Sequence, residues 1–174
     1  MSRESAQALR WWEELRHPER GDRGALARLR RASSVLDAAT EPATIELCRK
    51  LGVGEEKLER VALIAAVLAH VRDNEPTVKM ARQLGQHEAN PQGMMSWLRF
   101  RRLVQAETAD EQLTQFRRAI ALAKQKANIG DLAESLLNWT EARRRGWIYA
   151  YHDAGQAQPN DIQTNDIKAG EPQS

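Results

Sequence analysis

The sequence predicts an all-α protein. Every stretch with a clear hydrophobic period repeats at three and four residues, no stretch alternates in the β manner, and the glycines and prolines mostly fall between the periodic stretches. The expected architecture is about nine helices in two small bundles, residues 1–90 and 91–153, with a disordered polar tail over 154–174.

The elements follow in chain order. A first helix, Ser5 to Arg16, aligns Leu9, Trp12 and Leu15 and stops before Pro18. Asp22 caps a second, Arg23 to Ser33, in which Leu26 and Leu29 sit among Arg28, Arg30 and Arg31. Thr40-Glu41-Pro42 opens a third with proline in the first turn, where its missing N–H costs nothing, and Gly52 ends it. The fourth, Glu55 to Arg72, is apolar nearly all round in its second half, which marks it as the central core helix. A short helix runs from Thr77 to Gly85, and an irregular loop rich in turn formers leads to Ser96. Ser96 caps a helix that carries Phe100, Leu103 and Val104. Thr108 and Glu111 then form a capping box that opens Glu111 to Lys126. Asn128-Ile129-Gly130 breaks the chain before two further helices, Asp131 to Trp139 and Glu141 to Asp153.

Composition narrows the function. The single cysteine, Cys48, reads as a small core residue, and the four histidines are too far apart for zinc spacing, so neither a disulfide framework nor a metal is expected. The opening residues lack the apolar run of a secretory signal, and no apolar run is long enough for a membrane span; a cytoplasmic setting is expected. No phosphate loop, nucleophile elbow, dinucleotide fingerprint or zinc-protease motif occurs, so the reading is non-enzymatic with no cofactor. The net charge of +2 divides unevenly: the residues from Asp153 onward carry −3 and the body before them +5. Twenty of the 26 basic residues are arginines, which bind phosphate in bidentate fashion and stack on bases.

Those arginines fall in clusters: Arg28/Arg30/Arg31, Arg99/Arg101/Arg102, Arg117/Arg118 and Arg143/Arg144/Arg145. At about 100° per residue, Arg99 and Arg102 point away from Trp97, Phe100 and Val104. Arg101 falls on the apolar side, where the expectation is that it snorkels to solvent or pairs with a buried acid such as Asp131 or Glu134. Arg117 and Arg118 are expected on the surface. Clusters on helix faces without a reading motif suit contact with phosphate backbones. A helix-turn-helix around Leu51-Gly52-Val53 is disfavoured, because its recognition helix would offer Glu55, Glu56 and Glu59 and then a wholly apolar run. A purely structural adaptor, with its arginines paired to acidic partners, and a stand-alone helical DNA-binding regulator are the alternatives.

With these residues in place, the order "RLRRASS", "SWLRFRRLVQAE", "LTQFRRAIALA" and "DLAESLLNWTEARRRGWIYAY" resembles the CasB family, the small subunit of the type I-E CRISPR Cascade complex. The resemblance covers most of residues 8–151. It implies an all-helical, non-catalytic subunit, present in two copies beside other Cascade subunits. Such a subunit lines a basic groove near CRISPR RNA and target DNA and helps hold the displaced non-target strand in antiviral defence. Residue by residue, it places nucleic-acid contact on Arg30 and Arg31, on Arg99, on Arg117 and Arg118, and on Arg143 and Arg144; the helical wheel adds Arg102 beside Arg99.

Overall fold

The computed structural model describes residues 1–85 and 90–152. The expected tail disorder, the last residue of the final helix and part of the expected irregular loop lie outside the described residues.

Ten α-helices form. They are α1 (Arg3–Leu15), α2 (Arg23–Arg31), α3 (Val35–Ala39), α4 (Pro42–Leu51), α5 (Leu58–Leu68), α6 (Met80–Leu84), α7 (Trp97–Gln105), α8 (Ala109–Leu122), α9 (Ile129–Leu137) and α10 (Glu141–His152). Most ends are set by the anticipated chemistry. Asp22 accepts the Ala25 N–H at 2.8 Å, Ser96 accepts from Arg99, and Thr108 and Glu111 close a reciprocal capping box. Gly52 ends α4 in the left-handed conformation (φ 70°), which a side chain would make costly.

α5 is the axis of the fold. All eight residues from Val61 to Leu68 are fully buried, and α3, α4, α8 and α9 pack around them. Burying each Val, Leu or Ile there contributes about 1.5–3 kcal/mol. The same burial removes α5 as a recognition helix. α1 lies across α4 and α9, with Trp11 donating to the Ala43 carbonyl and Trp12 to the Val71 carbonyl. The helices before and after residue 90 therefore share one core: α1 packs on α9, α5 on α8 and α9, and α6 on α10.

Three local features depart from the sequence reading. The fourth helix ends at Leu68 rather than Arg72, because the chain turns at Ala69 and His70 into a short parallel strand, β1 (Asp73–Asn74). Its partner, β2 (Lys126–Ala127), shortens the expected Glu111–Lys126 helix; Lys124 and Gln125 take positive φ to turn the chain out of α8. The five-residue α3, capped by Ser34, was not anticipated.

Candidate nucleic-acid interface

Two kinds of arginine site emerge, and the first is a groove between α7 and α8. On α7, Phe100, Leu103 and Val104 face the core. On α8, Leu113, Phe116 and Ile120 do the same. The α7–α8 turn is fixed by Gln112, which is buried, donates to the Ala106 and Glu107 carbonyls and accepts from Arg60 at 2.7 Å. With the apolar faces anchored, Arg99 and Arg102 from α7 and Arg118 from α8 are left exposed along a groove of about 550 Å³, with Met95, Gln115, Ala121 and Leu122. None of the ion pairs among the described residues involves these three arginines. Three guanidinium groups, each with several N–H donors that no described residue engages, line one channel.

The second kind is structural. Arg117, one residue from Arg118, turns the other way and donates to the Leu29 and Arg30 carbonyls at 3.3 and 3.2 Å, neutralising the C-terminal end of α2. Its expected surface position is thereby corrected: it is half-buried, and burial lowers its pKa. Arg30 donates to the Ala69 carbonyl at 2.7 Å and Arg16 to the Val71 carbonyl at 3.1 Å, so both serve the turn that ends α5. Burial, then the nearby charge of Arg30, lowers the pKa of Arg16. His70 stands in this ring of cations. Burial, with Arg117 and Arg30 close by, brings its pKa down to about 4, so its imidazole is neutral at physiological pH.

The remaining candidates lie elsewhere. Arg31 is exposed at the end of α2. Arg143 is half-buried, pairs with Glu134 at 3.7 Å and lines a different pocket with Lys79 and Asp131. Arg144 lies over the Trp139 ring at 6.0 Å, while Arg145 pairs with Glu141 at 2.7 Å. Arg101 is exposed, its head in solvent rather than paired with Asp131 or Glu134. Asp131 instead accepts the Met80 N–H at 2.9 Å, and Glu134 accepts from Ser5, because α9 packs on α1 and α5. Trp97 is 39% exposed and leans on Phe100, Tyr151 and His152 at ring distances of 6.1, 5.7 and 4.7 Å.

Sequence reasoning missed Arg16 and Arg60, and neither lies in a cluster. Arg60 spans α5 and α9 by donating to the Leu136 carbonyl at 2.8 Å. Its only signal in the sequence is a lone arginine beside a long apolar run. Gln115 was missed as well, though it lies one turn before Arg118 and shares its face.

Among the described residues no group of three or more His, Cys, Asp or Glu could hold a metal ion, and no helix is long and apolar enough to cross a membrane. The family model of CRISPR-associated protein Cse2 matches residues 25–152, well over half of the chain. The chain belongs to the Cse2 family. Cse2 and CasB name the same family, so the resemblance carried by the arginine-bearing segments is shown. No curated protein matches. Among solved structures, a chain of E. coli Cascade bound to a PAM-containing double-stranded DNA target is similar in fold. Its TM-score is 0.63 at 19% identity, with 83% of this Cse2 chain and 93% of the E. coli chain covered.

Proposed function

We propose that this Cse2-family chain is a non-catalytic Cascade subunit that holds nucleic-acid backbone without reading its sequence, and so stabilises the R-loop and its displaced non-target strand. The observation that carries the reading is the α7–α8 groove, where Arg99, Arg102 and Arg118 stand exposed without a carboxylate partner among the described residues. In a guide-directed complex, base pairing between guide and target reads the sequence. A subunit beside that duplex contributes by neutralising phosphates, which lowers the free energy of the opened strands regardless of their bases. Helices fixed by Phe100, Phe116 and Gln112 hold the three guanidinium groups in position, so less ordering entropy is lost on binding. Other Cascade subunits, a second copy of this chain, CRISPR RNA and target DNA are the partners of this reading. Arg31 adds a further exposed cation, while Arg30, Arg117, Arg143 and Arg144 act mainly through the fold.

The test is binding of the purified chain to fluorescent single-stranded and duplex oligonucleotides of mixed sequence. Weak binding with little sequence preference is expected. If the three groove arginines each meet a phosphate of a single strand, log K falls with log salt at a slope of roughly −2. No detectable binding at low salt, or binding to one sequence alone, refutes the reading.

A further inference from the structure

Trp11, Trp12, Trp139 and Trp147 are all buried, whereas Trp97, at the start of α7, keeps a large part of its ring in water. Leaving so large an apolar ring uncovered forgoes part of the stabilisation its burial would bring. The ring is nevertheless held in place. Behind it Phe100 and Tyr151, both fully buried, stack at 4.2 Å with their planes 28° apart. The Tyr151 hydroxyl donates to the Met95 carbonyl at 2.7 Å and so ties the end of α10 to the residues that lead into α7. His152 stands exposed at the edge of the Trp97 ring, and the next residue along α7, Leu98, is exposed as well. Arg101 lies one turn further on, about 40° round the helix from Trp97. It is exposed and takes part in none of the ion pairs among the described residues. A fixed, half-open aromatic ring with a cation beside it therefore occupies the side of α7 turned away from the α7–α8 groove.

We infer that Trp97, with His152 at its edge and Arg101 beside it, is a stacking platform for an unpaired base of single-stranded nucleic acid. Every base has a π face, so a held aromatic ring takes any of them and adds affinity without reading sequence. A phosphate accompanies each base, and Arg101 stands where it can meet one. That pairing of ring and cation favours a nucleic-acid strand over an apolar protein surface, which would bury the Arg101 charge without a partner. In a duplex the base faces are already stacked on one another, so the platform favours single strands, a preference that phosphate contacts alone do not supply. α7 is only about 10–12 Å across with its side chains. A strand whose phosphates meet Arg99 and Arg102 can therefore pass over the helix and set a base on Trp97. The inference rests on the strand-binding reading, to which it adds the chemistry of a second contact.

The test compares the full chain with its Trp97→Leu variant, in which leucine keeps an apolar contact with Phe100 and Tyr151 but offers no ring. Two fluorescent strands serve as probes: a single-stranded oligonucleotide of mixed sequence, and an abasic strand of the same length and charge. Affinity for each is measured, and the NMR signal of the Trp97 indole N–H, assigned through its contacts with the His152 ring, is followed in the parent chain. The parent is expected to bind the base-bearing strand about 5- to 10-fold more tightly than the abasic one, the lower end of the range for stacking on one aromatic side chain. Trp97→Leu loses that preference while still binding both strands, and the indole signal shifts with the base-bearing strand alone. Equal affinities in the parent overturn the platform and leave the strand-binding reading standing, whereas binding of neither strand refutes both. A preference that persists in Trp97→Leu places the stacking elsewhere and overturns the inference. Self-association of the parent that Trp97→Leu abolishes, with both strands bound equally, overturns it too and makes the face a contact between copies. If the variant loses its fold, the two strands on the parent chain still decide: an indole signal unmoved by the base-bearing strand overturns the inference.

Discussion

Arg117 and Arg118 are adjacent in the chain and serve opposite ends. Arg118 stands exposed in the α7–α8 groove with Arg99 and Arg102, while Arg117 is half-buried against the last carbonyls of α2. Arg30 and Arg16 resemble Arg117: each spends its guanidinium on a carbonyl at the end of α5. Beside the arginines paired with carboxylates or laid on a ring, the clusters therefore hold arginines that close helix ends and arginines with no ion pair among the described residues. The division follows from geometry, since adjacent helical positions differ by about 100° in direction. A substitution at one site should be read in stability and at the other in binding.

The largest expected effect is on stability. Arg117→Ala removes two charge-assisted hydrogen bonds and leaves two carbonyls at the end of α2 without that donor, which costs about 2–3 kcal/mol. Arg118→Ala changes stability by less than about 0.5 kcal/mol, as expected of an exposed residue without an ion pair. Urea unfolding of the two variants checks this, and equal losses would erase the distinction between the sites.

Next comes the pH dependence of the same region. His70 has its pKa lowered to about 4 in the folded protein, whereas unfolded it titrates near 6.5. As pH falls through 6.5 the unfolded chain takes up a proton that the folded chain refuses. The stability contributed by the neutral imidazole is present above pH 6.5 and declines until both states are protonated below about 4. Between pH 7 and 5 the loss is on the order of 1 kcal/mol after discounting for the solvated part of the ring. His70→Gln removes that dependence; unfolding curves that keep the same pH slope in the variant would assign it to another group.

The smallest expected effect on strand binding concerns the turn that aims the groove. Gln112→Ala frees the Ala106 and Glu107 carbonyls and the Arg60 guanidinium. It should cost about 1–3 kcal/mol in stability and loosen strand binding only a few-fold, because Arg99 and Arg118 lose their fixed spacing while keeping their charge. Unchanged stability would show that the turn is held by other contacts.

Much of the fold was legible in the sequence because its signals are local. The Thr108–Glu111 capping box, the Asp22 and Ser96 caps and the left-handed Gly52 each act within a few residues, and the apolar run Val61–Leu68 can only be buried. β1 and β2 were not legible. Each is two residues long, too short for any period, and they exist only because the ends of α5 and α8 lie side by side. The groove was half legible: the helical wheel placed Arg99 and Arg102 together on the face away from the core, and that is where both lie. That Arg118 joins them and Arg117 does not depends on how α2, α7 and α8 pack, which no single-helix pattern contains. Arg101 shows the same limit, for α9 turns Asp131 and Glu134 towards Met80 and Ser5.

The measurement that bears most directly on the central claim is the salt dependence of single-strand binding in the full chain and in its Arg99→Gln/Arg102→Gln/Arg118→Gln variant. Each phosphate contact contributes about 0.7 to the slope of log K against log salt. The variant should bind more weakly, with a slope shallower by about 2, while its urea midpoint stays that of the parent. Parallel salt plots with equal affinities would contradict the claim and show that the groove is not where the strand binds.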